Sequence, residues 1–251
     1  MLEEIKKDLP EFTCLICQKT SDAFQLSVFE DLEFLACQHC GSVTTTPIPD
    51  DEFISEYLDS SRTAQLAPFP HNLEKKHFKK HLQDLKAAAQ GPKCIDVKCH
   101  NGYRTELARM RYFSDITGID SNPFAIEIAE KRFNKGYFIN TSLKDFTDSG
   151  EKFDSAICYH GLEYTNSPDE YLQNLLKILN DKAAVYFSLC DGNHFMAPSN
   201  FLKWKEVRYP ERTHYISREG LDTLLKRNGF KVVKRYRRFL PYQHVIARKQ
   251  S

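Results

Sequence analysis

Apolar and polar positions in the early part of the chain follow a period of two. Phe24, Leu26 and Val28 alternate with polar residues, and Leu32, Phe34 and Ala36 resume the period after Glu30-Asp31. Successive side chains of a strand point to opposite faces, so this pattern predicts a short hairpin. Pro47 and Pro49 then break the chain, and DDEFISEYLDSS predicts a short helix opened by acidic residues. SSRTAQLAPFPHN is polar and proline-rich and reads as a linker. In LEKKHFKKHLQDLKAAA, residues Leu73, Phe78, Leu82 and Leu85 recur at nearly helical spacing, which predicts an amphipathic helix covering the edge of the following domain.

From Gly91 onward strands alternate with helices. CIDV, DITGID, YFIN, FDSAICY and AAVYFSLC are strand-like, and TELARMRYF, PFAIEIAEKRF and DEYLQNLLKIL are helical, the second opened by Pro123. A long loop from Asp191 to His214 holds Phe195, Phe201 and the only tryptophan, Trp204, in a position that suits either a substrate lid or simple packing. SREGLDTLLKRNGF is a helix capped by Ser217 and ended by Gly229, and KVVKRY and HVIARK close the chain as strands. Alternating units of this kind imply an α/β fold with a parallel sheet covered on both faces. The expected division is a metal module over 1–48, a helical linker over 49–90 and an α/β domain over 91–251.

Composition narrows the function. With 251 residues, 41% of them hydrophobic, the chain can bury one good-sized core and a small appendage. Its 35 basic and 34 acidic residues leave a net charge of +1, which argues against a nucleic-acid partner. The basic run at Lys231, Lys234, Arg235, Arg237 and Arg238 therefore reads as a solvated face. Charged residues interrupt every apolar run before it could span a bilayer, and MLEEIKKDLPEF lacks the apolar core of an export signal. The expected compartment is the cytoplasm, where thiols stay reduced.

Eight cysteines in that setting need a reading other than disulfides. Cys14-x-x-Cys17 and Cys37-x-x-Cys40 enclose the residues from Gln18 to Ala36, a spacing that signals a tetrahedral zinc site of ribbon type. Four thiolates leave no open coordination position, so the zinc is expected to be structural, stabilising the module by about 10 kcal/mol or more. Gly41 suits a turn with positive φ after the second pair, and His39 inside that pair is a bystander. Cys94, Cys158 and Cys190 sit in strand-like runs as small buried hydrophobes.

The chemistry is expected in KCIDVKCHNGYRTELARMRYFSDITGID. A strand ends near Asp96, a loop and helix follow, and a second strand ends at Asp120, where an acidic residue suits the two hydroxyls of a ribose. The plain structural alternative for both aspartates is the capping of adjacent turns. The segment resembles class I S-adenosylmethionine-dependent methyltransferases, whose loop reads D-x-G-x-G-x-G. FDSAICYHGLEYTNSPDEYLQNLLKIL resembles that family's fourth strand and helix, and His214-Tyr215-Ile216-Ser217 with RNGFKVV resembles its C-terminal pattern. CQHCGSVTTTPIPDDEFISEYL resembles the zinc-containing segment of a subgroup. The departures are Lys98 and His100 in place of two glycines, with only Gly102 kept, and Tyr164 in place of a histidine.

The resemblance implies a doubly wound, Rossmann-like sheet of seven strands, the last antiparallel, and S-adenosylmethionine as cofactor. It implies that Asp120 binds ribose, Asp96 the loop and the cofactor amino group, and Ser121 and Asn122 the adenosine. Ser142 and Leu143 would flank the adenine and Tyr159 the sulfonium, with Lys98, Asn101 and Gly102 lining the methionine end; Lys98 could reach the cofactor carboxylate. His160 and His214 are the candidate general bases. The expected reaction is methyl transfer to a small-molecule acceptor such as a sugar or polysaccharide precursor. Two other readings stay open: an inactive methyltransferase fold serving as a binding scaffold, and an RNA methyltransferase.

Overall fold

In the computed structural model the strand β10 (Leu179–Cys190) is buried from Ala183 to Cys190 because both its faces are covered. The structure describes residues 12–21, 23–29, 32–50, 53, 57, 72–133, 136–198, 200–237 and 240–250. The helix expected over DDEFISEYLDSS and the linker after it lie outside these residues, apart from Asp50, Phe53 and Tyr57, of which the last two are helical.

The main sheet contains β6 (Lys93–Val97), β7 (Asp115–Asp120), β8 (Phe138–Asn140), β9 (Phe153–Tyr159), β10, β12 (Phe230–Arg235) and β13 (Tyr242–Lys249). Their order is β12-β13-β10-β9-β6-β7-β8. Strands β6 to β10 pair in parallel and β13 runs antiparallel to both neighbours, which is the architecture the resemblance implies. Alternation along β10 explains the two-sided burial: Val185, Phe187 and Leu189 join one core, Ala184 and Tyr186 the other.

The first core packs under α5 (Pro168–Lys177) and α6 (Arg218–Arg227), through Leu172, Leu175, Leu221, Leu224 and Leu225. The second lies under α1 (Asn72–Ala88) and α2 (Tyr103–Arg111), where Phe78, Leu82, Leu85 and Leu107 are buried. Helix α3 (Pro123–Arg132) packs Ile126 and Ala129 against Phe138 of β8. Ser217 caps α6 by accepting from Gly220 N, and Gly229 takes φ 74°, as the sequence indicates.

The N-terminal segment forms a two-stranded ribbon, β1 (Phe12–Thr13) and β2 (Thr20–Ser21), and then the expected hairpin, β3 (Ala23–Phe29) and β4 (Leu32–Cys37). The hairpin belongs to a four-stranded sheet of order β11-β5-β4-β3. Its other members, β5 (Val43–Thr46) and the distant β11 (His214–Tyr215), pair Thr44 with His214 and Val43 with Tyr215. The long loop packs here too. Phe201 and Trp204 are buried against Phe34 and Tyr215, and Phe201 N donates to Ser27 Oγ at 2.9 Å. These aromatics are core of the smaller sheet, whereas Phe195 is 84% exposed. In the basic run, Lys234 pairs with Asp84 and Arg235 with Asp222.

Candidate active site and metal centre

The order of the sheet reverses between β6 and β9, and ligands of open α/β sheets bind outside the carboxyl ends of the strands at such a point. Most of the expected residues come together there. Asp96 to Gly102 follow or end β6, Asp120 to Asn122 end β7, Ser142 and Leu143 open α4 (Leu143–Phe146) after β8, and Tyr159 and His160 end β9.

The β6–α2 loop keeps the backbone of a glycine-rich turn with one glycine. Lys98, His100 and Gly102 take φ of 60°, 53° and 75°, so all three glycine positions of the family pattern are left-handed. A side chain costs roughly 1–2 kcal/mol in that conformation, and strain held in this way clusters at functional sites. Gly102 has a second constraint: a Cβ there would stand 2.6 Å from Phe138 Cζ and 2.8 Å from Ala129 Cβ. His160, at the end of β9, is also left-handed at φ 60°.

Asp120 organises the loop. Its Oδ2 accepts from His100 N at 2.8 Å and its Oδ1 from Asn122 N at 3.0 Å. Asn122 caps α3 by accepting from Phe124 N and Ala125 N, and the Ser121 carbonyl accepts from Asn140. Ser142 caps α4. Asp96 is buried in β6 and accepts from Thr105 Oγ1 of α2 at 2.6 Å; burial pushes its carboxyl up to about 7 against that hydrogen bond. Asn101 is buried, and its Oδ1 lies 3.4 Å from Tyr103 N. Burial lowers the His100 imidazole, with the nearby Asp120 opposing.

Beside this loop, His160 Nδ1 meets Glu163 Oε2 at 2.5 Å. Glu163 is wholly buried. Its Oε1 accepts from Cys190 N at 2.6 Å and lies 3.0 Å from Nε of Arg212, an ion pair without hydrogen-bond alignment. Arg212, only 1% exposed, also donates to the Glu206 carbonyl at 2.7 Å. Burial opposes charge on Glu163, yet Arg212 and His160 hold its carboxyl below the usual range. Burial lowers the His160 imidazole, with Glu163 opposing. A neutral ring whose Nδ1–H is held by a carboxylate keeps Nε2 as an acceptor, the arrangement of a general base.

His214 joins this group through its backbone only, its N–H donating to the Glu163 carbonyl at 3.3 Å. Its ring is fully buried with Nδ1 3.3 Å from Thr44 Oγ1, and burial lowers it to about 4. Neither Glu163 nor Arg212 is among the residues the sequence pattern singles out. Glu163 stands in the Leu162-Glu163 motif, which signals it; nothing in the sequence marks Arg212, because an arginine is rarely buried unless paired.

The four paired cysteines form the other centre. Their sulfurs all lie within 4.8 Å of one another, with Cys14–Cys40 at 3.8 Å and Cys17–Cys37 at 3.7 Å. Four sulfurs about 2.3 Å from a tetrahedral ion stand ~3.8 Å apart, so the set has the geometry of a metal site. Gln18 and Gly41, each following the second cysteine of its pair, both turn left-handed, at φ 59° and 68°. The centre is tied to the candidate active site by one side-chain and two backbone hydrogen bonds. Ser217 Oγ donates to the Cys40 carbonyl, Thr45 N to the Thr213 carbonyl at 2.9 Å, and Thr213 N to the Glu163 carbonyl at 2.9 Å.

A methyltransferase-domain family matches residues 69–235, and the chain belongs to that family. Among characterised relatives, the ubiquinone biosynthesis O-methyltransferase of Cereibacter sphaeroides is 25% identical over 161 residues, covering 58% of this chain and 63% of that protein. The mitochondrial ubiquinone biosynthesis O-methyltransferase of Schizosaccharomyces pombe is 29% identical over 104 residues, 39% of this chain and 38% of that one. The chain thus spans less than two thirds of either relative's length. In fold it is similar to the magnesium protoporphyrin IX methyltransferase of Synechocystis PCC 6803 solved with S-adenosylhomocysteine. The TM-score is 0.60 at 15% identity, over 80% of this chain and 100% of that one. No described helix is long and apolar enough to cross a membrane.

Proposed function

We propose that this protein transfers a methyl group from S-adenosylmethionine to a small-molecule acceptor such as a sugar or polysaccharide precursor. The observation that carries the reading is that Asp120 and the His160–Glu163 pair occupy the carboxyl ends of β7 and β9, on either side of β6 and its left-handed loop. The residues fit the cofactor. A carboxylate offers about four acceptor directions, and Asp120 uses two of them on backbone N–H groups, which leaves two for ribose hydroxyls. Ser121 and Asn122 would flank the adenosine and Ser142 and Leu143 the adenine. Asp96, Asn101, Gly102 and the Lys98 backbone would line the methionine end, with Tyr159 beside the sulfonium. The left-handed conformations at Lys98 and His100 weigh against a decayed scaffold, because the loop holds its shape at a cost.

When bound, S-adenosylmethionine supplies a methyl group already activated by its sulfonium. The protein then has to align the acceptor and take its proton. His160 Nε2 takes that proton, Glu163 holds Nδ1–H and fixes the ring, and Arg212 steadies Glu163. The cysteine cluster holds zinc in a structural role, keeping β5 against β11. The small-molecule acceptor is supported by the two O-methyltransferase relatives of ubiquinone biosynthesis and by the near-zero net charge.

The reading is tested by incubating metal-loaded protein with methyl-labelled S-adenosylmethionine and low-mass extracts of cells. Label should pass to an extract component, resistant to nuclease, at a rate that His160→Gln lowers by roughly 100-fold or more. Label passing only to nuclease-sensitive material, or to nothing, would overturn it.

A further inference from the structure

Arg212 lies between two carboxylates. Its Nε stands 3.0 Å from Glu163 Oε1, and its Nη1 donates to the Glu206 carbonyl at 2.7 Å and stands 3.9 Å from Glu206 Oε2. Both carboxylates are held from neighbouring strands. Cys190 ends β10 and opposes Tyr242, the first residue of β13. The Cys190 N–H donates to Glu163 Oε1, and the Tyr242 hydroxyl donates to Glu206 Oε2. The Tyr242 ring in turn meets the His160 imidazole edge to face, with centroids 5.3 Å apart. His160, Glu163, Arg212, Glu206 and Tyr242 therefore close a ring of contacts, in which Glu206 is a second buried acid.

Charge decides what that second acid adds. A carboxylate beside an imidazole favours its protonated form, but the Arg212 guanidinium acts on His160 in the opposite sense, and so does Arg104. Glu206 offsets the guanidinium from its other side. With both acids ionised the ring holds two negative charges and one positive, and a proton arriving on His160 brings it to neutrality. Without Glu206 the same proton would leave a net positive charge out of water, which is costly. The other groups facing His160 are His244, lowered by burial to about 3 and so neutral, and the rings of Tyr159 and Tyr164. Lys98, Arg208 and Glu211 act on Tyr164, and burial keeps Cys190 beside Glu206 as a thiol.

We propose that Glu206 is a positioning residue of the methyl-transfer step, holding Arg212 through its carbonyl and supplying through its carboxylate the negative charge that lets His160 take the proton of the acceptor. The inference rests on the methyl-transfer reading. In that step the acceptor oxygen bonds to the methyl carbon as the carbon–sulfur bond breaks with its electron pair left on sulfur. The hydroxyl proton passes to His160 Nε2, and Glu206 stays ionised throughout.

The His160 ring is titrated by NMR in full-length, metal-loaded protein, and label transfer from methyl-labelled S-adenosylmethionine to low-mass cell extract is followed against pH. Glu206→Gln keeps the shape and an acceptor for Tyr242 but loses the charge. It is expected to move the His160 midpoint, and the acid limb of the transfer rate with it, to lower pH by roughly half a pH unit or more, and Glu206→Asp should restore most of that shift. A purely structural role would leave both in place. In wild-type protein, carboxyl-carbon NMR should find Glu206 ionised at pH 7 and its signal moving as His160 titrates. An unmoved His160 midpoint in folded Glu206→Gln, or a wild-type Glu206 signal that ignores the His160 titration, overturns the proposal. The NMR titrations need neither cofactor nor acceptor. A shifted His160 midpoint in a protein that transfers no label would therefore remove the methyl-transfer reading and leave the link from Glu206 to His160 standing.

Discussion

Lys98 Nζ rests 4.7 Å above the ring of Tyr164, so two of the positions at which this chain departs from its family's sequence pattern touch each other. The lysine holds a left-handed backbone at φ 60° while its side chain crosses from the loop after β6 to the segment after β9. Replacing Lys98 by glycine or by alanine removes the ring contact equally, but only glycine relieves the backbone. Lys98→Gly should therefore exceed Lys98→Ala in stability by about 1 kcal/mol. That is a gap of roughly 2–4 °C in melting temperature for a chain of this size. Equal melting temperatures would contradict the left-handed assignment.

Arg212 and Glu163 form an ion pair almost without solvent contact. Removing one partner of such a pair leaves a buried charge, so Arg212→Ala should lower stability by about 3–5 kcal/mol. Urea denaturation measures this, and a loss below ~1 kcal/mol would show that Glu163 does not depend on the arginine. Glu163→Gln has a further consequence: the imidazole loses the carboxylate that opposes its burial, so the His160 titration should move to lower pH.

Metal removal should reach the active site. Ser217 joins the Cys40 carbonyl to α6, and β5 holds Thr213, whose N–H holds the Glu163 carbonyl. One zinc per chain is expected by elemental analysis. Chelation, or Cys37→Ser, should lower the melting temperature and shift the NMR signal of the His160 ring. An unmoved signal in demetallated, folded protein would show that the two centres are uncoupled.

Acid should destabilise the fold well before the ordinary carboxylates titrate. His81 and His214 are lowered from 6.5 to about 4 and His244 to about 3, in each case chiefly by burial. His81 and His244 both use Nδ1 on the Tyr186 hydroxyl at 2.9 Å. Between pH 6.5 and about 4 the unfolded chain binds protons that the folded chain refuses. Stability is thus full above 6.5 and falls with pH by about 1.4 kcal/mol per unit for each group. Asp96 works the other way: its carboxyl rises from 3.8 to about 7, so its contribution is lost as pH increases through that window. Three histidines outweigh one aspartate. The urea midpoint should drop from pH 7 to pH 5, and His214→Gln should reduce the drop; a midpoint independent of pH would contradict the buried, neutral rings.

Local pattern made most of the main sheet legible. β6, β9 and the Ala183–Cys190 part of β10 are apolar runs, and Asp120 stands where a strand-ending carboxylate should. The cysteine spacing likewise foretold four sulfurs in one cluster. Pairings across long sequence distances were not legible. β5 is largely threonine, and β11 is two residues long and finds its partner about 170 positions away, so neither carries a period of its own. For the same reason His214 read as a candidate base, although its ring faces Thr44 in the smaller sheet. Lys98 and His100 looked like damage to a glycine loop. What the sequence concealed is that their backbones keep the left-handed shape while β8 and α3 close on Gly102 through Phe138 and Ala129.

The central claim is that this glycine-poor loop still forms a cofactor site with Asp120. Calorimetry of metal-loaded protein with S-adenosylhomocysteine tests it most directly. One saturable site per chain is expected, weakened by roughly tenfold or more in Asp120→Ala as the ribose loses its acceptor. No binding by wild-type protein, or binding that Asp120→Ala leaves unchanged, would contradict it.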